Sequence, residues 1–236
     1  GLILGLTSLL RPLGVKKSIF KRELPIMLIC TFLLYIMSLD LLISRLDGLI
    51  FLGLFLVFFL ISYKGGKKDY DFKELQDFSF QGFLKNTTSL LVVGSVCMMS
   101  LVGVAVGANL MVKGGVGLAK IFGVSSWIIA ITVFAVGTSL PELAASLAAS
   151  FKKMPSISVG NIIGSNIFNI LFILGTVALI RPIKIEQSYL RFEYLFLIFI
   201  TILLIVFMKT KYRISRWEGF LLFLLYIFFV LLITGR

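Results

Sequence analysis

Residues 2–12 read Leu-Ile-Leu-Gly-Leu-Thr-Ser-Leu-Leu-Arg-Pro, and residues 172–182 read Phe-Ile-Leu-Gly-Thr-Val-Ala-Leu-Ile-Arg-Pro. The register carries on: Ile-Ser-Arg-Leu-Asp-Gly at 43–48 matches Ile-Ser-Arg-Trp-Glu-Gly at 214–219, and Lys21-x-Glu23 matches Arg191-x-Glu193. Three matches in one register mark residues 1–62 and 171–234 as two copies of one unit, with a single insertion between them. Whatever this chain folds into must therefore hold two similar substructures.

The apolar runs say how those copies are related. A bilayer crossing needs roughly 20 apolar residues, so 2–10 is too short to span alone. Runs at 24–39, 46–63, 88–112, 126–151, 156–180, 190–208 and 217–234 read as seven full spans beside that partial one. Matched helices lie an odd number of crossings apart, so the two copies run in opposite senses. That is the inverted-repeat plan, in which sites lie at the repeat interface near mid-membrane. With 59% hydrophobic and 14% charged residues, the chain reads as an all-α integral membrane protein and not a soluble domain. Its net charge of +12 is assigned to the basic flanks of membrane helices and not to nucleic acid, because no basic run is interleaved with aromatics. Most of the 23 cations fall in the loops around 11–22, 64–85, 152–153 and 209–216, which places those loops in the cytoplasm. Lys113, at the expected end of a span, is read as snorkelling.

No histidine is present, which excludes a histidine metal site or proton relay. Cys30 and Cys97 lie in apolar runs and read as buried thiols. Of the 11 acidic residues only Glu142 lies deep within an apolar run. A carboxylate there costs roughly 2.5–3.5 kcal/mol on insertion scales, which makes it a functional candidate. Ala135, Thr138, Ser139 and Glu142 follow i, i+3, i+4, i+7 and share one helix face. Pro141 lacks an N–H and is expected to break that helix, freeing carbonyl oxygens. In lipid such carbonyls survive only against protein or a water-lined cavity. Downstream, Asn161, Ser165 and Asn169 recur every four residues with Asn166 beside them, and Asn161 and Asn166 read equally as ion ligands or as helix–helix glue. Gly103, Gly107, Gly160 and Gly164 are read as helix-packing positions. Hydroxyl, amide, carbonyl and carboxylate oxygens are the ligands that hard cations take; Ca²⁺ takes about 6–8 of them.

Gly137-Thr-Ser-Leu-Pro-Glu142, followed by Gly160-Asn-Ile-Ile-Gly-Ser-Asn-Ile-Phe-Asn169, resembles the second α-repeat of the cation/calcium exchanger superfamily, nearest its prokaryotic sodium/calcium antiporters. Gly107-Ala-Asn-Leu-Met-Val-Lys-Gly114 is similar to the helix that precedes that repeat. The resemblance implies an inverted-repeat, exchanger-like helical bundle in a bacterial or archaeal plasma membrane. It implies exchange of Ca²⁺ for Na⁺ by alternating access, with no further cofactor. H⁺ exchange and K⁺ dependence would use the same oxygens and stay open. By the same resemblance the Ala135 carbonyl, Thr138, Ser139, Glu142, Ser165 and Asn169 occupy ion-ligand positions. Several prokaryotic members carry Asp where this chain has Asn169, a change that removes a negative charge from the site. An intramembrane enzyme using Glu142 is the rival reading. It lacks a second membrane carboxylate, a histidine, a reactive cysteine and a cofactor motif.

The expected organisation is residues 1–63 as the end of a first inverted repeat, 64–87 as a cytosolic linker, and 88–236 as the second repeat, its ion-binding helices at 126–151 and 156–180. If the first repeat matches the second throughout, roughly 80 further residues precede Gly1. They would carry a second Gly-Thr-Ser-x-Pro-Glu-like run about 33 residues upstream, supplying the partner carboxylate that Ca²⁺ needs.

Overall fold

The computed structural model describes residues 1–69, 90–121, 123, 135–152 and 154–234. In chain order these form α1 (Leu2–Leu10), β1 (Leu13–Gly14), a π-helical turn (Ile19–Glu23) running into α2 (Leu24–Met37), β2 (Leu42–Ile43), α3 (Arg45–Asp69) and α4 (Leu90–Ile121). Next come α5 (Ala135–Phe151), α6 (Pro155–Phe168), a π segment (Asn169–Leu174) and α7 (Gly175–Ile180). The chain closes with β3 (Ile183–Lys184), α8 (Gln187–Arg191), α9 (Glu193–Lys209), β4 (Arg213–Ile214) and α10 (Arg216–Thr234).

The repeat seen in the sequence becomes a set of exchanged contacts. β1 pairs antiparallel with β4, matching Leu13 to Ile214, and β2 pairs antiparallel with β3, matching Ile43 to Ile183. Each two-residue strand thus finds its partner in the other copy. One further bond extends each pair: Val15 N donates to Tyr212 O at 2.8 Å, and Ile185 N donates to Leu41 O at 2.9 Å. Both accepting residues stand in left-handed turns, Leu41 at φ 65 and Tyr212 at φ 49. β1 precedes α2 and β2 follows it, so the two strand pairs sit at opposite ends of that helix. The copies are therefore inverted, as the odd number of crossings requires.

Two glycine seams hold the helices together. α1 crosses α10 where Gly5 meets Gly219, and α7 crosses α3 where Gly175 meets Gly48. A Cβ built on Gly5 would lie 3.0 Å from Gly219 O, and one on Gly48 would lie 2.8 Å from Gly175 O. Only a hydrogen fits between the backbones. In lipid this close approach supplies the van der Waals contact that drives helix association. α3 and α10 begin with matched capping boxes. Ser44 N and Ser215 N each donate at 2.7 Å to the carboxylate three residues on, Asp47 and Glu218. Those residues' own N–H groups return to the serine hydroxyls at 3.2 and 3.4 Å. The apolar core lies between the seams, formed by Leu4, Leu13, Ile43, Phe51, Ile163, Ile167, Leu171, Met208, Ile214 and Leu222.

Five helices among the described residues are long and apolar enough to cross a bilayer: Arg45–Tyr63, Gly94–Gly117, Pro155–Ile180, Gln187–Lys209 and Arg216–Ile233. Of the other two expected spans, 24–39 appears as α2, 14 residues long behind its π turn. The span 126–151 is described only from Ala135, its first part lying outside the described residues.

Four expectations need correction. α5 is not broken at Pro141 but runs through it. The proline withholds one hydrogen bond, a cost of about 3 kcal/mol that packing on both sides of the helix can offset. α3 runs on as helix to Asp69, while its membrane-spanning part ends at Tyr63, where the expected span ends; 70–87 lie outside the described residues. Lys113 lies within α4, eight residues before its end, because the apolar pattern resumes after it; Cys97, on the same helix, is exposed. Gly103, Gly107 and Gly164 have no neighbour within 4 Å where a Cβ would stand, and Gly160 meets only Ile19 Cδ1 at 3.7 Å, so among the described residues none makes a glycine-dependent contact.

Candidate ion-binding site

α5 and α6 pack against each other as an antiparallel pair, and Asn161 sets its register. Its Nδ2 donates to Ser146 Oγ at 3.2 Å and to Glu142 O at 3.4 Å. One amide thus ties α6 both to the backbone of the carboxylate residue and to the next polar position along α5. Antiparallel helices rise equally per residue, so the tie at Asn161 and Ser146 sets Glu142 level with Ser165 and Thr138 level with Asn169. The two sequence motifs are brought side by side.

Glu142 is half-buried, and its Oε2 is buried with no hydrogen-bond partner among the described residues. A buried acceptor without a donor is costly, and more so when it is charged. Ser139 is half-buried on the same face and Thr138 is exposed. Ala135 is the first described residue of α5. On the facing helix Ser165 Oγ donates to Ile162 O at 3.1 Å, which leaves its oxygen lone pairs available as acceptors. Asn166 is occupied differently, its Nδ2 donating to Ile162 O at 2.7 Å. Asn169 is exposed and opens the π segment. Single π turns recur at functional positions because they re-aim side chains. Around it Phe168 stacks on Phe172 at 4.9 Å, and Phe55 of α3 meets Phe172 at 5.0 Å, so the segment packs against the second seam.

The other side of α5 rests on α4. A Cβ on Gly137 would collide with Val112 Cγ2, so the first glycine of the motif is a packing requirement. Among the described residues no three His, Cys, Asp or Glu side chains cluster. A cation at this hairpin would rest on one carboxylate and on neutral oxygens.

Sequence reasoning missed one feature here and left another undecided. Ser146 and Ser150 are buried and extend the Glu142 face at i+4 and i+8, a spacing that was open to view. Asn161, left between ion ligand and helix glue, bridges the two helices; nothing in its spacing distinguishes those roles.

Comparison with known proteins places this geometry. The family described as sodium/calcium exchanger protein matches residues 1–64 and 92–235. The Alkalimonas amylolytica protein named as an antiporter, CaxA, is 35% identical over 229 residues, covering 96% of this chain and 72% of its own length. The sodium/calcium exchanger MaX1 of Methanosarcina acetivorans is 35% identical over 152 residues, covering 64% of this chain and 41% of its own. Among solved structures, the sodium-calcium exchanger NCX_Mj soaked with Na⁺ and Sr²⁺ superposes with a TM-score of 0.78 at 31% identity. The superposition covers 98% of this chain and 71% of that one. Because the family match runs through both copies of the repeat and the motif hairpin between them, this chain belongs to the sodium/calcium exchanger protein family, whose members are integral membrane transporters and not enzymes.

Proposed function

We propose that the protein exchanges Ca²⁺ for Na⁺ across a bacterial or archaeal plasma membrane by alternating access. The observation that carries this reading is the buried Oε2 of Glu142, without a hydrogen-bond partner among the described residues, on a helix that Asn161 ties to α6. In this reading the ions are held by the Ala135 carbonyl, Thr138, Ser139, Glu142, Ser165 and Asn169. Hard oxygens suit both cations, and Ca²⁺ takes about 6–8 of them.

Charge carries the reading one step further. Glu142 supplies a single negative charge and Asn169 none, so a dehydrated Ca²⁺ needs a second carboxylate. The inverted pairing of the copies offers a place for it. A counterpart of α5, related by the exchange that relates β1–β4 to β3–β2, would set its own glutamate opposite Glu142. In this reading residues 1–63 and 88–236 belong to two inverted repeats whose combined oxygens complete the site. NCX_Mj, by its own description a sodium-calcium exchanger and soaked with Na⁺ and Sr²⁺, supports the choice of ions.

The test is Ca²⁺ uptake into vesicles carrying the full-length protein, with imposed Na⁺, H⁺ or K⁺ gradients. Uptake driven by an outward Na⁺ gradient and unaffected by the others is expected. Uptake that follows H⁺ alone, or that requires K⁺, overturns the counter-ion. No Ca²⁺ movement under any gradient overturns the exchange itself.

A further inference from the structure

α1 ends at Arg11, which leaves the helix in an extended conformation while its N–H still bonds to Thr7 O. Its guanidinium reaches another part of the fold. Nη1 lies 3.2 Å from Ser150 O and 3.5 Å from Phe151 O, 139 and 140 residues along the chain. These are carbonyls of the last turn of α5, which no helix can satisfy from within. They also carry the negative end of its dipole. Neighbouring carbonyls find backbone donors, Ala148 O from Lys152 N and Ala149 O from Met154 N. α5 has no basic residue in its own last turn. Arg11, at the end of α1, brings a cation to these carbonyls, in addition to Lys152, which follows the helix.

α1 is in turn held against α10 at the Gly5–Gly219 contact, where there is no room for the backbones to move closer. Arg11 therefore joins the end of the motif helix to the first seam. Ser150 lies eight residues, about 12 Å, along α5 from Glu142. We infer that Arg11 is a positioning residue for the ion site: it sets the axial height of α5 against the seam, and so keeps Glu142 level with Ser165. This inference rests on the exchange reading for its effect on transport, but not for the contact itself.

Arg181 provides an internal control. It occupies the matching place after α7, with the same extended backbone and the same bond from its N–H, here to Val177 O at 2.8 Å. Yet it is exposed, and its side chain makes no hydrogen bond or ion pair among the described residues. The grip on α5 is thus not a by-product of an Arg-Pro turn.

The experiment uses the full-length protein in lipid vesicles, with variants Arg11→Gln, Arg11→Lys and Arg181→Gln. Hydrogen exchange is read on the last two turns of α5, on α1 and on α10, and the Ca²⁺ half-saturation of uptake on the same vesicles. Arg11→Gln is expected to speed exchange at the end of α5 by roughly tenfold while α1 and α10 keep their protection. Half-saturation should rise by about threefold to tenfold with maximal rate nearly unchanged. Arg11→Lys should fall between, since an ammonium keeps the charge but not the planar fork. Arg181→Gln should leave exchange in α5 as in the parent. Unchanged exchange at the end of α5 in Arg11→Gln overturns the inference, and so does a uniform loss of protection across all three helices. Should the parent protein move no Ca²⁺, the exchange reading fails, while the hydrogen-exchange pattern still decides whether Arg11 holds α5.

Discussion

The glycine seams and the motif hairpin solve opposite problems. At the seams, Gly5 against Gly219 and Gly48 against Gly175, backbones touch, and the capping boxes at Ser44 and Ser215 satisfy the helix ends beside them. In the α5–α6 hairpin, polar groups are buried without being fully matched: Ser146 takes a hydrogen bond from Asn161, while Glu142 Oε2 has no partner among the described residues. Packing is completed in the first region, whereas the second keeps acceptor capacity in reserve. Stability and transport should therefore respond to different substitutions.

Glu142→Gln separates the regions most widely. Truncating one member of a buried charge pair costs about 2–5 kcal/mol, so Ca²⁺ half-saturation should rise by roughly 30-fold or more. The thermal midpoint in detergent should hold or rise, because an unpartnered buried charge has been neutralised. A lower midpoint with intact uptake would assign Glu142 to the scaffold and erase the distinction.

Next in size is Gly48→Ala. The new methyl would stand 2.8 Å from both Gly175 O and Leu179 N, backbone atoms that cannot swing aside. Overpacking of this kind costs about 1–3 kcal/mol. The thermal midpoint should fall while the Ca²⁺ half-saturation of the surviving protein stays within about twofold. A selective loss of Ca²⁺ affinity would show that seam and site are one unit.

Asn161→Ala probes the boundary, since this residue sits in the hairpin but holds structure. Losing its two hydrogen bonds should cost about 1–2 kcal/mol and also weaken Ca²⁺ affinity, because the register that levels Glu142 with Ser165 is loosened. Both readouts should move together; a change in affinity with no change in midpoint would make Asn161 an ion ligand.

The smallest effects are expected at the caps. Ser44→Ala and Ser215→Ala should each cost about 1 kcal/mol, and the two values should agree within about 0.5 kcal/mol if the copies are equivalent. Unequal losses would show that the repeat governs topology without governing energetics.

The amino-acid sequence by itself determined the class of fold and much of its internal symmetry. A residue such as Gly5 recurs as Gly175, and Gly48 as Gly219, because the same close contact is needed twice. Glu142 stood out because a carboxylate in an apolar run is expensive wherever the helix goes. These are local or periodic signals, readable along one dimension. The tertiary structure alone decided which copy each element pairs with: β1 lies on β4 and not on its own repeat mate. It decided that α5 passes Pro141 unbroken, packed between α4 and α6. It also decided that Asn161 is a bridge, and that Arg11 serves a helix 139 residues away while Arg181, with the same local sequence and backbone, holds no such partner among the described residues. A guanidinium or an amide has the same hydrogen-bonding potential in any sequence, but whether a partner lies within about 3 Å depends on how separate helices are stacked, which no local pattern records.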